Sequence, residues 1–69
     1  MNEIDLKSIV IKNGCTQVEF SRKADVGLAT INRICNDVDY NPSPRIKNRI
    51  RNALIGLGYI KESDWVVVT

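Results

Sequence analysis

Between Thr16 and Asn36 the chain reads TQVEFSRKADVGLATINRICN, two apolar periodicities of helical spacing separated by Asp25, Val26 and Gly27. Each is only about two turns long, and helices this short persist only when packed against neighbours. The segment therefore demands a helical bundle around it. Thr16 offers a capping oxygen with Glu19 three residues on, the capping-box spacing that starts a helix at Gln17. Phe20 and Ala24 share a face of that helix, which runs out at Asp25, a short polar residue that tolerates the left-handed conformation. Gly27 caps the next helix, from Leu28 to about Asn36. At about 100° per residue, Thr30, Ile31, Ile34 and Cys35 form one face and Ala29, Asn32, Arg33 and Asn36 the other. The second face is polar and short-chained. Phe20, Val26, Ile31 and Ile34 have the spacing of a core.

The flanking segments supply the rest of a bundle. Leu6, Ile9, Val10 and Asn13 lie on one side of a helix from about Glu3 to Asn13, with Ile4 and Ile11 off the stripe and Gly14 as its stop. After the loop DVDYNPSP, Ser43 caps a fourth helix that starts at Pro44 and runs to about Leu57, ending at Gly58. Its inner stripe is Ile46, Ile50, Ala53, Leu54 and Leu57, with Ile55 opposite. Arg45 and Arg49 flank the stripe on one side, Lys47 and Arg51 on the other, and no acid falls between Pro44 and Leu57. The tail KESDWVVVT reads two ways: Val66 to Val68 favour a strand, while Ser63 would cap a last helical turn holding Trp65. The expected fold is all-α, a bundle of four or five helices. Residues 1–60 form the domain, and 61–69 a tail that closes the core or pairs with a second chain.

Composition removes several classes of function. With 69 residues the chain is one domain, too small for a large buried active site. No apolar run approaches the roughly 20 residues that span a bilayer. The start, MNEIDLKSIVIKNG, lacks the basic and apolar regions of an export signal, so a cytoplasmic location is expected. Histidine is absent, and neither Cys15 nor Cys35 has a second thiol at metal-ligand spacing. The cysteines read as buried free thiols, and no metal, cofactor or small-molecule ligand is expected. No nucleophile–base pair can be named, so the chain does not read as an enzyme. The net charge of +2 is small, and its concentration on the fourth helix matters more than its sum.

Two short helices joined by a turn of about three residues, the second with a polar outer face, form a helix-turn-helix pattern. TQVEFSRKADVGLATINRICND resembles the helix-turn-helix of the phage-repressor (XRE, Cro/repressor) family, with a Thr-Gln opening the second helix and a Val just after the turn. ATINRICN followed by SPRIKNRIRNALIGLGY is similar to the headpiece of lac-repressor-type regulators, in which a basic helix ends in Leu-Gly-Tyr. The resemblance covers roughly Thr16 to Tyr59 and implies a lambda-repressor-like DNA-binding domain. The chain departs from the family pattern at Asp25, where glycine is usual, at Ser21, where alanine is usual, and at Gly27, where a Ser or Thr cap is usual.

The resemblance implies roles residue by residue. Leu28, Ala29, Asn32 and Arg33 face the bases, with Arg33 suited to guanine, Asn32 to adenine, and Leu28 or Ala29 to a thymine methyl. Thr16, Gln17, Gly27, Asn36, Arg45 and Arg49 would hold the phosphate backbone. Lys47 and Arg49 project from opposite flanks, so reaching one DNA surface with both is in question. The implied partner is double-stranded DNA, bound by a homodimer, since one subunit reads only a few base pairs. Such a chain would be a small transcriptional regulator, repressor-like and of phage or mobile-element kind. The same helix would also serve an accessory protein in recombination or transposition, and the same fold a protein-interaction module. Without the motif, Arg33 and the basic run would read as solvated charge, and Gln17 as an ordinary first helical residue.

Overall fold

The computed structural model describes residues 5–37 and 39–64. In order it has α1 (Leu6–Lys12), α2 (Gln17–Ala24), α3 (Leu28–Asn36), α4 (Pro44–Gly56) and a single 3-10 turn, Glu62–Asp64. Among the described residues there is no strand. The fold is the expected all-α bundle.

Side chains set most helix starts. The Thr16 hydroxyl oxygen accepts from the Glu19 amide at 3.0 Å, and Ser43 accepts from the Ile46 amide with Pro44 at the first helical position. α1 differs from the sequence reading. It starts at Leu6 because the Asp5 carboxylate accepts both the amide (3.2 Å) and the hydroxyl (2.7 Å) of Ser8, making Asp5 the cap. Those two bonds hold the Asp5 carboxyl below its ordinary value, the Ser8 hydroxyl contributing most. The cap is therefore intact above the ordinary carboxylate range and weakens as pH falls through the lowered value. Asn13, expected as the last helical residue, is the C-cap, and its side chain donates back to the Ile9 carbonyl at 2.8 Å.

Three helices stop by the same device. A residue in the left-handed region follows the helix, and the amide of the next residue donates five positions back. The bonds are Cys15 to the Val10 carbonyl (2.9 Å), Val26 to Ser21 (3.0 Å) and Tyr59 to Leu54 (2.9 Å). Each thereby delivers an apolar residue to the core immediately after the helix: Cys15 and Val26 are buried in it and Tyr59 packs against it. The left-handed residues are Gly14 (φ 68°), Asp25 (φ 55°) and Gly58 (φ 76°). Asp25 alone carries a Cβ there.

The core takes Leu6 and Val10 from α1, Phe20 and Ala24 from α2, Ile31 and Ile34 from α3, and Ile50 and Leu54 from α4. Phe20, Ile31, Ile50 and Leu54 have no exposed surface. Each such side chain contributes about 1.5–3 kcal/mol by burial, and this converts two marginal helices into fixed ones. α2 packs on α1, α3 and α4, so it is the brace of the bundle. Ser21 is buried in that brace, and its hydroxyl donates to the Val18 carbonyl at 2.7 Å. The α1 stripe holds at Leu6 and Val10, which are buried, and at Ile9, which packs on the core, with Ile11 off it 64% exposed. Asn13, expected on the stripe, is exposed, and Ile55, expected opposite the α4 stripe, is half-buried. Cys15 is buried and Cys35 half-buried, both as free thiols, and burial pushes the Cys35 thiol up.

A single helical turn lies at Glu62–Asp64 with Ser63 inside it, while the turn expected to hold Trp65 lies outside the described residues. Asp64 closes the Glu62–Asp64 turn, accepting from the Lys61 amide at 2.9 Å. Arg51 ties this turn to α4 through Glu62 at 3.1 Å. Ile4, Trp65 and the valines of the proposed strand lie outside the described residues.

Asp25→Gly removes the left-handed cost while leaving the backbone bonds of the turn in place. The exposed Asp25 carboxylate, 3.8 Å from Arg49, adds little to offset this. The variant should be more stable by about 1 kcal/mol. Urea unfolding measures it; a loss of stability would show that the carboxylate matters more than the strain.

Candidate nucleic-acid interface

The outward face of α3 follows from helix geometry. With about 100° between residues, Leu28, Asn32, Asn36, Ala29 and Arg33 occupy one continuous arc of about 140°. All five are exposed, and Leu28, at 39%, is among the three exposed large apolar side chains among the described residues. Ile31 and Ile34 are buried on the opposite side, with Thr30 and Cys35 half-buried beside them. The arc thus offers an apolar contact, two carboxamides, a methyl and a guanidinium from a helix held on its other face. Gly27, exposed at the N-cap, makes no side-chain cap, and no acidic residue stands in the first turn of α3. The positive end of this helix is left unneutralised by its own sequence.

The elements around α3 place the backbone-binding candidates. Gln17 is the first residue of α2 and is half-buried. Thr16 is occupied: its hydroxyl also donates to Glu19 Oε1 at 3.2 Å, which sets a carboxylate beside it. Asn36 is exposed at the last position of α3. Arg45 is exposed in the first turn of α4 and makes no ion pair among the described residues.

Arg49, one turn after Arg45 on the same flank, is engaged within the domain. Its Nη1 donates to the Asp25 carbonyl at 2.9 Å, clamping α4 onto the turn between α2 and α3. The flanks of α4 divide accordingly. The Arg45–Arg49 side faces the turn, and Arg51, on the other side, faces the C-terminal segment. The Arg49 clamp spans 24 residues of sequence, and no periodicity or motif signals it. A second contact that sequence reading missed is Arg33 over the Tyr40 ring, 4.3 Å from its centroid. The Asp37-x-Asp39 spacing in the loop was the available signal, since an Asx turn there folds the chain back.

A short helix with a polar outer arc, a brace helix across it and a three-residue turn clamped from α4 is a helix-turn-helix in three dimensions. A family model described as helix-turn-helix, of the XRE, lambda-repressor-like type, matches residues 6–54. The chain belongs to this helix-turn-helix family. The match runs from the start of α1 to Leu54, the last core residue of α4, so the family unit is the four-helix bundle itself. No curated protein and no solved structure gave a significant match. Membership supports DNA binding by the helix-turn-helix. Among the described residues no helix is long and apolar enough to cross a membrane, and no cluster of three metal-ligating side chains occurs.

Removing the clamp tests its structural weight. Arg49→Ala should lower stability by about 0.5–1 kcal/mol, modest because the guanidinium is partly exposed. Hydrogen exchange of the Val26 amide, whose bond to Ser21 closes the turn, should accelerate. Unchanged exchange at Val26 would mean that the turn holds without Arg49.

Proposed function

We propose that this helix-turn-helix domain binds double-stranded DNA sequence-specifically and acts as a small transcriptional regulator by occupying its operator. The observation that carries the reading is the exposed arc of α3, Leu28 to Asn36, on a helix fixed from behind by α2. A helix with its side chains is about 10–12 Å across and the major groove about 12 Å wide, so this arc meets base edges when α3 is laid in the groove. Arg33 is suited to guanine O6 and N7, Asn32 to adenine, and Leu28 and Ala29 to a thymine methyl, each bidentate pair discriminating by roughly 1–3 kcal/mol.

Gln17, the Gly27 amide, Asn36 and Arg45 would hold the backbone on either side of the groove. Thr16 would reach phosphate only by giving up its bond to Glu19, and Arg49 acts mainly through the turn, with its remaining N–H groups available to phosphate. Specificity over a genome requires more base pairs than one α3 can read, so the active form is a homodimer on half-sites about 34 Å apart. Residues 61–69, beyond the matched bundle, are the segment proposed to complete that assembly. Repression by blocking a promoter, in a phage or mobile element, is the simplest use of such a domain.

Selection of random duplexes by the purified protein at two salt concentrations tests the reading. Enrichment of a palindrome with half-sites one helical turn apart is the expected result. Weak binding without enrichment, vanishing at moderate salt, would favour the protein-interaction reading. On the selected duplex, Arg45→Ala should weaken all sequences alike and reduce the salt slope by about one unit. Arg49→Ala should weaken binding with the slope nearly unchanged; a drop of a full unit would return Arg49 to the phosphate contacts.

A further inference from the structure

Tyr40 lies four residues beyond the end of α3, yet its ring faces a side chain of that helix. The Arg33 guanidinium carbon stands 4.3 Å from the ring centroid, within cation–π range. The placement is built by the intervening loop. The Asp37 carboxylate accepts from the Asp39 amide at 3.1 Å, and the Tyr40 amide donates to the Asp37 carbonyl at 3.1 Å, so the chain doubles back toward α3. Tyr40 then packs against the hydrophobic core, and Pro42 just after it is buried. The ring is thus anchored from beneath, and the face it offers to Arg33 is a fixed one.

A cation–π contact attracts the guanidinium charge to the ring face and pairs its N–H groups with no oxygen or nitrogen acceptor, so the donors that would meet guanine O6 and N7 are not spent on another hydrogen bond. Arg33 also sits at the margin of the α3 arc, where a long side chain without lateral support would sample many rotamers. We propose that Tyr40 is a specificity-determining residue that pre-orients the Arg33 fork for guanine, lowering the ordering cost of that contact. The proposal rests on the base-reading role given to Arg33 above.

The test compares duplex selections by the wild-type protein, Arg33→Ala, Tyr40→Phe and Tyr40→Leu. Phe keeps the aromatic face, and Leu keeps an apolar contact to the core without it. Arg33→Ala should flatten one guanine position, and Tyr40→Phe should leave the profile intact. Tyr40→Leu should reduce preference at that same position by about two- to fivefold, the factor a cation–π contact at an exposed site is worth, and leave the others unchanged.

A Tyr40→Leu profile identical to wild type, with the guanine lost in Arg33→Ala, would overturn the proposal while sparing the role of Arg33. Sharper preference or tighter binding in Tyr40→Leu would also overturn it, since the ring would then be holding Arg33 away from DNA. An unchanged profile in Arg33→Ala would instead sink the base-reading role itself. A measurement on the unmodified protein stands apart from any variant's folding: the Arg33 side-chain protons should be shifted upfield by the Tyr40 ring current. Random-coil shifts there would contradict the stack.

Discussion

The turn at Asp25 is the constraint on which the domain depends. Neither α2 nor α3 is long enough to be stable alone, and what makes them a unit is one residue in the left-handed region followed by a buried valine. The Val26 amide reaches back to the Ser21 carbonyl, and that bond closes α2 while dropping Val26 into the core. Gly27 then opens α3 at an angle set by this geometry. Arg49 holds the outside of the same turn through the Asp25 carbonyl. The direction of the exposed arc on α3 is therefore set from both sides, by core packing within and by α4 without.

This arrangement divides labour among basic residues that look alike in sequence. Arg49 and Arg51 are partly buried and face the turn and the C-terminal segment, while Arg45 stands in solvent. Charge on α4 thus serves the fold at one turn and remains available to a polyanion at another. Arg33 adds a third use, a guanidinium held over an aromatic ring. What a cation does here depends on the element packed against it, which composition cannot disclose.

Much of the bundle was legible because its determinants are local. The start of α2 at Gln17, the start of α4 at Pro44, the left-handed Asp25 and the glycine stops each depend on a few adjacent residues, and all are present. The start of α1 falls later than the expected Glu3 because Asp5, inside the expected helix, makes two bonds to Ser8 that turn it into the cap. Of the candidate interface, the polar arc was legible from periodicity. The clamp from Arg49 and the ring beneath Arg33 were not, because they join segments that meet only after the chain has folded.

The most direct measurement of the central claim, that the exposed arc of α3 meets DNA, is a titration of the isotope-labelled protein with duplex DNA followed by amide chemical shifts. The account predicts that the largest changes centre on Gly27 to Asn36, with Gln17 and Arg45 at the margins, and that Ile11 on the far side of α1 does not move. Changes concentrated on α1 or spread evenly over every lysine and arginine, with α3 unmoved, would contradict it.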